Sequence, residues 1–322
     1  MYLCRLARSD SCTPLDNTTL VFAYSTDFDP TIVNGALGHY VKSITNISPH
    51  YTAFAGIRFD TRDESDFEFG SNFTQIAAYV QSHQPDASLG FNNNYTGSDV
   101  LRMIDRFLDN KEVPACGSKF IIYVKRYPNE TDISSIVAKL RKYHSYLVIF
   151  ATNNPSGGSQ QETLYDLATK TNGLCGFDTD TNLESAANYV STCFHPYLAY
   201  AANPQVSETG SIQLQPFLGY DENDGWPYWL SMSFQDNGPI STVQSVLWSW
   251  SSRYSQVQMG YNDGCYRAGC YGNQAGTDSD FHVPESDMTL DYRYSDTKTR
   301  RLQLRINARD NIQESDWLPY DD

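Results

Sequence analysis

The hydrophobic pattern divides the chain into two parts with different periods. In the first part, short continuous apolar runs alternate with segments whose apolar residues recur every three to four positions. A continuous run is typical of a strand buried on both faces of a parallel sheet, and the longer period is typical of an amphipathic helix. The predicted strands are 20–23, 51–59, 88–91, 119–124, 146–151 and 174–177, and the predicted helices are 30–47, 72–82, 98–108, 132–143, 161–171 and 183–192.

This alternation predicts an α/β domain with a doubly wound parallel sheet over residues 18–195. Asp29 precedes Pro30, so we expect Asp29 to cap the first helix. Ser25 and Asp27 come directly after the first strand. Because ligands bind at the carboxyl ends of central strands in such sheets, we expect any ancestral site to lie there.

After His195 the apolar residues alternate with polar residues at period two, in short segments separated by Gly, Asn, Asp and Pro. Leu302, Leu304 and Ile306 alternate in this way in the sequence RLQLRI. Such a pattern is typical of an antiparallel sandwich or barrel. We therefore predict an all-β domain, a β-sandwich, over residues 205–312, joined to the first domain by a linker at 199–208.

Composition and charge exclude some partners. The formal net charge of −15 opposes binding to a phosphate backbone, so we expect no nucleic-acid partner. No apolar run reaches the roughly 18 residues of a membrane-spanning helix, so we expect no membrane span in this chain.

Five N-x-S/T sequons occur, and five in the first 130 residues favour a secreted, glycosylated chain over chance. The predicted glycosylation sites are Asn17, Asn46, Asn72, Asn94 and Asn129. The first twelve residues lack the apolar core of a signal peptide. We expect a fragment of a longer secreted protein, with a cytosolic chain as the alternative.

The first part resembles the von Willebrand factor A family. The matching pieces are LVFAYSTDF, NNNYTGSDVLRMI, KFIIYVKRYPNETD, YLVIFATNN and ETLYDLATKTNGLCGFDTDTNLESAANYV. They occur in the family's order over residues 18–195. The whole arrangement also looks like nematode secreted proteins in which an A-like domain precedes a β-rich domain. The resemblance implies an adhesion fold with a metal site at the carboxyl end of the sheet.

The residues at that site depart from the family's pattern. The metal site of the family uses two acidic residues, two serines and a threonine as oxygen ligands. The resemblance aligns these positions with Ala23, Ser25, Asp27, Asn94 and either Lys125 or Arg126, so three of five ligands are lost. A fixed cation at Lys125 would replace a metal electrostatically. We therefore expect a degenerate site with no metal and no cofactor, with a shifted site at Ser25, Asp27 and Asp29 as the alternative.

Seven cysteines are present, and their spacings do not match a zinc site. Cys265 and Cys270 lie in a Gly-rich segment, and we predict that they close a tight loop. Cys4 and Cys12 are predicted to pair in the same manner. In an A-like fold Cys175 and Cys193 would also lie near enough to form a bridge. Cys116 is the cysteine left over from these three pairs, so it would be unpaired or paired outside this chain.

Enzyme signatures are missing from the sequence. No G-x-S-x-G motif occurs, and the Gly-Gly-Ser at 157–159 lacks the Lys-Ser/Thr ending of a phosphate loop. Asp178, Asp180 and Asn182 form D-x-D-x-N, but the glycine and glutamate that an EF-hand needs are replaced. We predict no catalytic residues and expect the chain not to be an enzyme.

The second part is rich in aromatic residues beside acidic and amide side chains. Trp226, Trp229 and Tyr266 would suit carbohydrate binding by stacking on sugar faces, whereas simple core packing is the alternative. The sequence thus predicts a secreted, non-catalytic binding or adhesion protein whose partner is an extracellular protein or a glycan. A lectin-like or carbohydrate-processing protein that acts through the second domain is the other prediction, and a purely structural relative of an enzyme is the third.

Overall fold

The structure is a computed structural model of the 322-residue chain, and it describes residues 12–187, 193–217, 228–235, 242–251, 256–262, 265–266, 269–271, 274–279, 286–309 and 316–320. The helices are α1 Pro30–Lys42, α2 Phe73–Ser82, α3 Val100–Leu108, α4 Ser134–Lys142, α5 Gln161–Lys170 and α6 Asp180–Ala186. The first group of strands is β1 Thr18–Ser25, β2 Tyr51–Phe59, β3 Glu68–Gly70, β4 Lys119–Val124, β5 Tyr146–Thr152 and β6 Leu174–Asp178. The second group is β7 Tyr197–Ala202, β8 Gln205–Val206, β9 Thr209–Gln213, β10 Tyr228–Phe234, β11 Val243–Ser251, β12 Gln256–Asn262, β13 Cys265–Tyr266, β14 Gly269–Tyr271, β15 Gln274–Ser279, β16 Asp287–Tyr294 and β17 Arg300–Ala308.

The first group of elements forms an α/β lobe. Its sheet has the order β3-β2-β1-β4-β5-β6, parallel except for β3, which pairs antiparallel with β2 at one edge. Strand β1 is buried along its whole length. Val21 and Ala23 pack with α3, α4 and α5 on one face, and Leu20, Phe22 and Tyr24 pack with α1, α2 and α6 on the other. Helices therefore cover both faces of the sheet, as the continuous apolar strands require.

Local signals set the ends of several elements. The Asp29 carboxylate accepts a hydrogen bond from the backbone N–H of Thr31 at 2.9 Å, which confirms the predicted cap of α1. The predicted strand at 88–91 is wrong. Residues Ala87–Leu89 form a 3-10 turn, and only Gly90 bridges to Thr61. The polar stretch before α2 contributes the short edge strand β3.

The second group of strands forms a β lobe of two antiparallel sheets. Their orders are β14-β15-β10-β17-β7, with β8 also paired to β17, and β13-β12-β11-β16-β9. Apolar residues of both sheets share one core, which contains Leu230, Trp248, Leu304 and Ile306. The predicted antiparallel architecture is confirmed, but the expected linker at 199–208 is wrong. Strands β7 and β8 lie there, because the backbone of this segment pairs with β17.

The polar side of β17 does not face solvent but contacts the α/β lobe. The Gln303 side chain accepts a hydrogen bond from the Cys175 N–H at 2.8 Å, and the Ser233 hydroxyl donates to the Cys175 carbonyl at 2.5 Å. Arg305, which is fully buried, donates to the carbonyls of Asn172 and Gly173. These side chains form hydrogen bonds with backbone groups at the edge of β6. Without them, that edge would expose unpaired backbone N–H and C=O groups. The two lobes therefore meet through a polar, hydrogen-bonded interface.

The disulfide prediction needs correction. Cys12 is bonded to Cys116, with Cα atoms 5.5 Å apart, so the predicted Cys4–Cys12 bridge and the unpaired Cys116 are wrong. The Cys175–Cys193 bridge is also wrong. Both thiols are free and buried, because Cys175 belongs to the core on one face of the parallel sheet and Cys193 to the core on the other. Cys4 and the side chains of Cys265 and Cys270 lie outside the described residues, so that last bridge stays a prediction.

Candidate functional site

The loops at the carboxyl end of the parallel sheet hold a buried cluster of polar side chains. Ser25, the last residue of β1, donates a hydrogen bond from its hydroxyl to Asp60 Oδ2 at 2.6 Å. Asp60 Oδ1 accepts from the Ser98 hydroxyl at 2.7 Å and from the Asp99 N–H at 3.1 Å. The Asp60 N–H in turn donates to Asp99 Oδ1 at 2.8 Å. Asp60 follows β2 directly, so the cluster joins the ends of β1 and β2 to the start of α3.

Burial dominates the electrostatics of this cluster. Asp60 is completely buried, and this desolvation, together with the nearby Asp99 carboxylate, raises the pKa of Asp60 well above its usual range. Burial also raises the pKa of Asp99. The two serine hydroxyls oppose the shift at Asp60 by donating hydrogen bonds to the charged form. Asp60 is therefore held closer to its neutral form than an exposed aspartate is.

Arg126 fills the centre of the same edge. Its Nε and Nη2 donate to Asp27 Oδ2 at 3.0 and 2.8 Å, and the Ser156 hydroxyl donates to the same oxygen. Its Nη1 donates to the carbonyls of Asn93 and Thr96, each at 2.8 Å. The side chains of Arg126 and Asp27 are only 3% and 6% exposed. At this position, which the family resemblance aligns with a metal ligand, one carboxylate oxygen of Asp27 is thus engaged by a guanidinium.

Two glycines make room for this ion pair. A Cβ at Gly90 would lie 2.4 Å from Asp27 Oδ1, and a Cβ at Gly157 would lie 2.1 Å from Arg126 Nη1. Neither clash could be relieved without moving one of the charged groups, because the pair is held from several sides. Glycine at these two positions therefore allows the loop between α2 and α3 and the loop after β5 to close over the pair.

Lys125 directly follows β4, as the resemblance implies, but its side chain extends to the ends of β5 and β6. Its ammonium donates to Asp180 Oδ2 at 2.6 Å and to the Asn154 carbonyl at 2.7 Å. Asp180 also accepts from the Thr152 hydroxyl, while Asp178 accepts from the Asn182 amide at 3.0 Å. The D-x-D-x-N stretch is thus bound to side chains of the protein itself. Of the two residues aligned with the last metal ligand, Arg126 rather than Lys125 occupies the edge beside Asp27.

The remaining positions of the family's site and of the shifted alternative do not converge. Ala23 is buried in the core, Asn94 is exposed on its loop, and Asp29 caps α1. Within the described residues, no group of three or more His, Cys, Asp or Glu side chains is arranged to hold a metal ion. The residues at this edge therefore do not fit the divalent cation that the family resemblance implies.

The predicted glycosylation sites share one property. Each is exposed to solvent: Asn17, Asn46, Asn72, Asn94 and Asn129. Asn72 also caps α2, because its Oδ1 accepts a hydrogen bond from the Gln75 N–H. The amide nitrogen of Asn72 takes no part in this cap. Asn129 donates from its amide to the Tyr95 carbonyl at 2.8 Å, so it lies beside the loop that carries Asn94.

A second candidate site is an open cleft of about 470 Å³ between the lobes. Trp229 of β10 lies directly across from Asp278 of β15 in the antiparallel register, so both side chains project from the same face of the sheet. The other described residues that line the cleft are Asn46, Phe194, His195 and Arg309. Arg309 Nε donates to His195 Nε2 at 3.2 Å. Partial desolvation by the surrounding cleft raises the pKa of Asp278 although its surface is in part exposed, and the Arg309 charge partly offsets this shift.

The volume and composition of this cleft suit a small polar ligand. Small-molecule sites commonly enclose about 300–1,000 Å³ and combine an aromatic wall with a few polar groups. Trp229 is half-buried, whereas Asp278 and Arg309 are exposed. Of the three residues predicted for carbohydrate binding, only Trp229 is placed at this cleft. Trp226 and the Tyr266 side chain lie outside the described residues.

Sequence reasoning missed Asp60 and Ser98 and did not place Arg126. A partial signal existed, since Asp60 follows a predicted strand directly, as Ser25 and Asp27 do. Asp278, Arg309 and His195 gave no sequence signal, because they are distant in sequence and meet only through strand pairing.

A family described only as a domain of unknown function, DUF7154, matches residues 202–309, which is less than half of the chain. No curated protein matches the chain. Within the described residues, no helix is both long and apolar enough to cross a membrane.

Three solved structures show distant likenesses to the chain. The chain is similar to the CBM22-1–GH10 modules of Clostridium thermocellum xylanase 10B complexed with xylohexaose, at 10% identity over 37% of this chain and 30% of that chain, with a TM-score of 0.22. It is similar to the P-domain of Macrobrachium rosenbergii nodavirus, at 11% identity over 35% of this chain and 91% of that chain, with a TM-score of 0.19. It is also similar to CapF with an inhibitor, at 6% identity over 89% and 96% of the chains, with a TM-score of 0.19. At these TM-scores the likenesses carry no conclusion about fold or function.

Proposed function

We propose that this chain is a secreted, non-catalytic binding protein whose α/β lobe is of the von Willebrand factor A type and works without a metal. The sheet order with helices on both faces supports a doubly wound lobe of this type. The Cys12–Cys116 disulfide supports an oxidising compartment. The five exposed sequons are compatible with the same environment.

The observation that carries the metal-free part of this proposal is the Arg126–Asp27 ion pair. Both groups are buried, and Nε and Nη2 of the guanidinium lie 3.0 and 2.8 Å from Asp27 Oδ2. A divalent cation at Asp27 would have to lie beside this fixed positive charge, at a cost of several kcal/mol at an intermediate dielectric. The arginine therefore takes the place of a divalent cation at this edge. Without the cation there is no open metal coordination position for a partner's carboxylate.

Thermal unfolding with divalent cations tests this part of the proposal. A metal that binds only the folded chain raises the melting temperature in proportion to its affinity. We expect no change in the melting temperature of the wild-type chain when millimolar Mg2+ or Ca2+ is added or chelated. An upward shift that disappears in Asp27→Ala would contradict the proposal, because it would show a working metal site at this edge.

A glycan is the second candidate, and the cleft around Trp229 is the observation that favours it. An indole wall with an acid and a guanidinium beside it offers stacking to a sugar face and hydrogen bonds to its hydroxyls. The proposed glycan site therefore lies in a cleft between the lobes and does not consist of aromatic residues of the β lobe alone. Asn46 and Phe194 form the side of this cleft that lies outside the β lobe.

A glycan array with matched variants tests the second candidate. We expect Trp229→Ala and Asp278→Asn each to abolish binding of any glycan that the wild-type chain captures. Tyr95→Ala is the control, because Tyr95 is an aromatic residue that is 77% exposed and lies outside the cleft. Binding that survives in Trp229→Ala, or that is lost equally in Tyr95→Ala, would remove the cleft as the sugar site.

A further inference from the structure

Asn46 combines two features that no other predicted glycosylation site combines. It is the asparagine of the sequon Asn46-Ile47-Ser48, and it also lines the cleft of about 470 Å³ between the lobes, together with Trp229. The four other sequon asparagines are not among the residues that line this cleft: Asn17, Asn72, Asn94 and Asn129. A sugar attached to Asn46 would therefore begin at the wall of a cleft that has an aromatic ring in it.

Local structure holds the sequon beside the cleft. Asn46 is the last residue of a single 3-10 turn after α1, and it is exposed to solvent. The Ser48 N–H donates to the Cys193 carbonyl at 3.0 Å. Phe194 and His195, which also line the cleft, follow Cys193 directly. The backbone therefore ties the sequon to the segment that carries two other residues of the cleft.

The Asn46 amide is available for attachment. Its side chain makes no hydrogen bond with the residues that the structure describes, whereas the Asn129 amide donates to the Tyr95 carbonyl at 2.8 Å. Ser48 is buried, and its hydroxyl accepts the His50 N–H at 3.1 Å. A transferase that reads Asn46 and Ser48 together must therefore act before this turn has folded, while the chain is being secreted.

The residues on the β-lobe side of the cleft complement an N-acetylated sugar. Trp229 is half-buried and offers a ring surface on which a sugar face can stack. Asp278 is exposed, and its carboxylate would accept hydrogen bonds from sugar hydroxyls. Among the described residues, Arg309 donates only from Nε, to His195 at 3.2 Å, so its two Nη groups remain as donors for an acetamido carbonyl.

We propose that the cleft at Trp229 is occupied by the chain's own N-linked glycan, attached at Asn46. The proposal rests on the secreted, glycosylated class proposed above, and it identifies the glycan of the cleft as one held in cis. In the attachment, the Asn46 amide nitrogen bonds to the anomeric carbon of an oligosaccharide on a lipid diphosphate carrier. The bond from that carbon to the phosphate oxygen breaks, the carrier leaves with the electron pair, and the amide gives up one proton to the transferase.

The covalent tether makes the docking of this glycan intramolecular. Its sugars have a high effective concentration at the cleft, so a weak affinity is enough to keep them there. Asn46 belongs to the α/β lobe, whereas Trp229, Asp278 and Arg309 belong to the β lobe. The docked glycan therefore adds contacts between the lobes, and a free sugar would have to compete with it.

Enzymatic removal of the glycan from the folded chain tests the proposal from the sugar side. The full chain is secreted from cells that attach only oligomannose glycans and is treated with endoglycosidase H, and glycopeptide mass spectrometry follows each sequon. We expect release at Asn46 to be about fivefold or more slower than at the exposed Asn94, because a glycan that is docked for about 80% of the time is cut only while it is undocked.

Variants of the cleft show whether this protection comes from docking. Trp229→Ala should bring the two rates of release together. Arg309→Gln, at an exposed position, should also speed release at Asn46, and it serves if Trp229→Ala does not fold. An unoccupied Asn46 in a chain that is glycosylated at Asn94, or equal release at both sites in the wild-type chain, would overturn the proposal.

Oxidative footprinting tests the proposal from the protein side. Hydroxyl radicals oxidise accessible indole rings, and Trp317 is a matched control because it is also half-buried but does not line the cleft. We expect Trp229 to be oxidised about twofold or more slower in the glycosylated chain than in Asn46→Gln, since the docked glycan covers part of the ring for most of the time. Trp317 should show no such difference, and Asn94→Gln should leave Trp229 protected. Equal oxidation of Trp229 with and without the Asn46 glycan would overturn the proposal.

A glycan array separates this proposal from the free-glycan candidate at the same cleft. Protection of Trp229 by the Asn46 glycan, with no capture of free glycans by either the wild-type chain or Asn46→Gln, would support the glycan in cis and remove the free ligand. Unprotected Trp229 in a glycosylated chain whose capture of a free glycan is lost in Trp229→Ala would do the reverse. Capture that is stronger in Asn46→Gln than in the wild-type chain would support both, because the attached glycan then competes for the cleft.

Discussion

The ion pair between Arg126 and Asp27 gives the sharpest prediction about stability. Arg126→Met removes two charge-assisted hydrogen bonds to Asp27 and two bonds to the carbonyls of Asn93 and Thr96. Asp27, whose side chain is 6% exposed, would keep only the Ser156 hydroxyl as a donor. Breaking a buried ion pair by removing one partner costs about 3–5 kcal/mol, chiefly because the other charge remains buried. We expect a loss of this size in the free energy of unfolding.

A double-mutant cycle separates the pair from its surroundings. Asp27→Leu alone should cost a similar amount, because it leaves the guanidinium unpaired. The double variant should cost less than the sum of the two by about 2–3 kcal/mol. Urea unfolding, followed by circular dichroism and by tryptophan fluorescence, measures these values and reveals any separate unfolding of the two lobes.

A surface pair provides the matched control. Arg102 contacts Glu64 at 3.0 Å, but the Arg102 side chain is 70% exposed. Arg102→Met should cost at most about 1 kcal/mol, because exposed ion pairs contribute little. A loss in Arg126→Met no larger than that in Arg102→Met, or strict additivity in the cycle, would refute the reasoning that a buried guanidinium replaces a metal at this edge.

Three further predictions follow from the same structure. Cys116→Ser should lower the free energy of unfolding by up to about 4.7 kcal/mol, since the bridge spans 104 residues, and denaturant unfolding with and without a reductant checks this value in the wild-type chain. Gln303→Ala should destabilise the interface between the lobes by about 1–3 kcal/mol, because it leaves the Cys175 N–H unpaired. Faster deuterium exchange confined to β6 and α5 would show this local loss of stability. Because burial lowers the pKa of Lys119 to about 7 in the folded chain, against 10.5 unfolded, the unfolded chain binds more protons between these values, so stability should rise with pH across this window. Lys119→Met should flatten that rise in urea midpoints measured from pH 7 to 10, and an unchanged slope would contradict the burial argument.

The candidate site was only partly predictable from the chain. Ser25 and Asp27 were placed correctly at the carboxyl end of β1, because a continuous apolar run followed by polar residues identifies a strand end without further information. The partners of these residues were not predictable in the same way. Arg126 is 99 residues from Asp27, and Asp60 is 35 residues from Ser25. Only the pairing of β1 with β2 and β4 brings them together.

The sequence alone determined the two-part architecture, since the change from continuous apolar runs to period-two alternation is a local property of the chain. It also determined the start of α1, where a capping aspartate precedes a proline. The tertiary structure decided which polar residues face water and which are buried. Gln303 and Arg305 occupy the polar side of an alternating strand, yet they lie against β6 because the edge of the parallel sheet needs partners. Cys12 bonds to Cys116 and not to a nearer cysteine, because contact between distant segments depends on how the strands are ordered, and local spacing carries no information about that order.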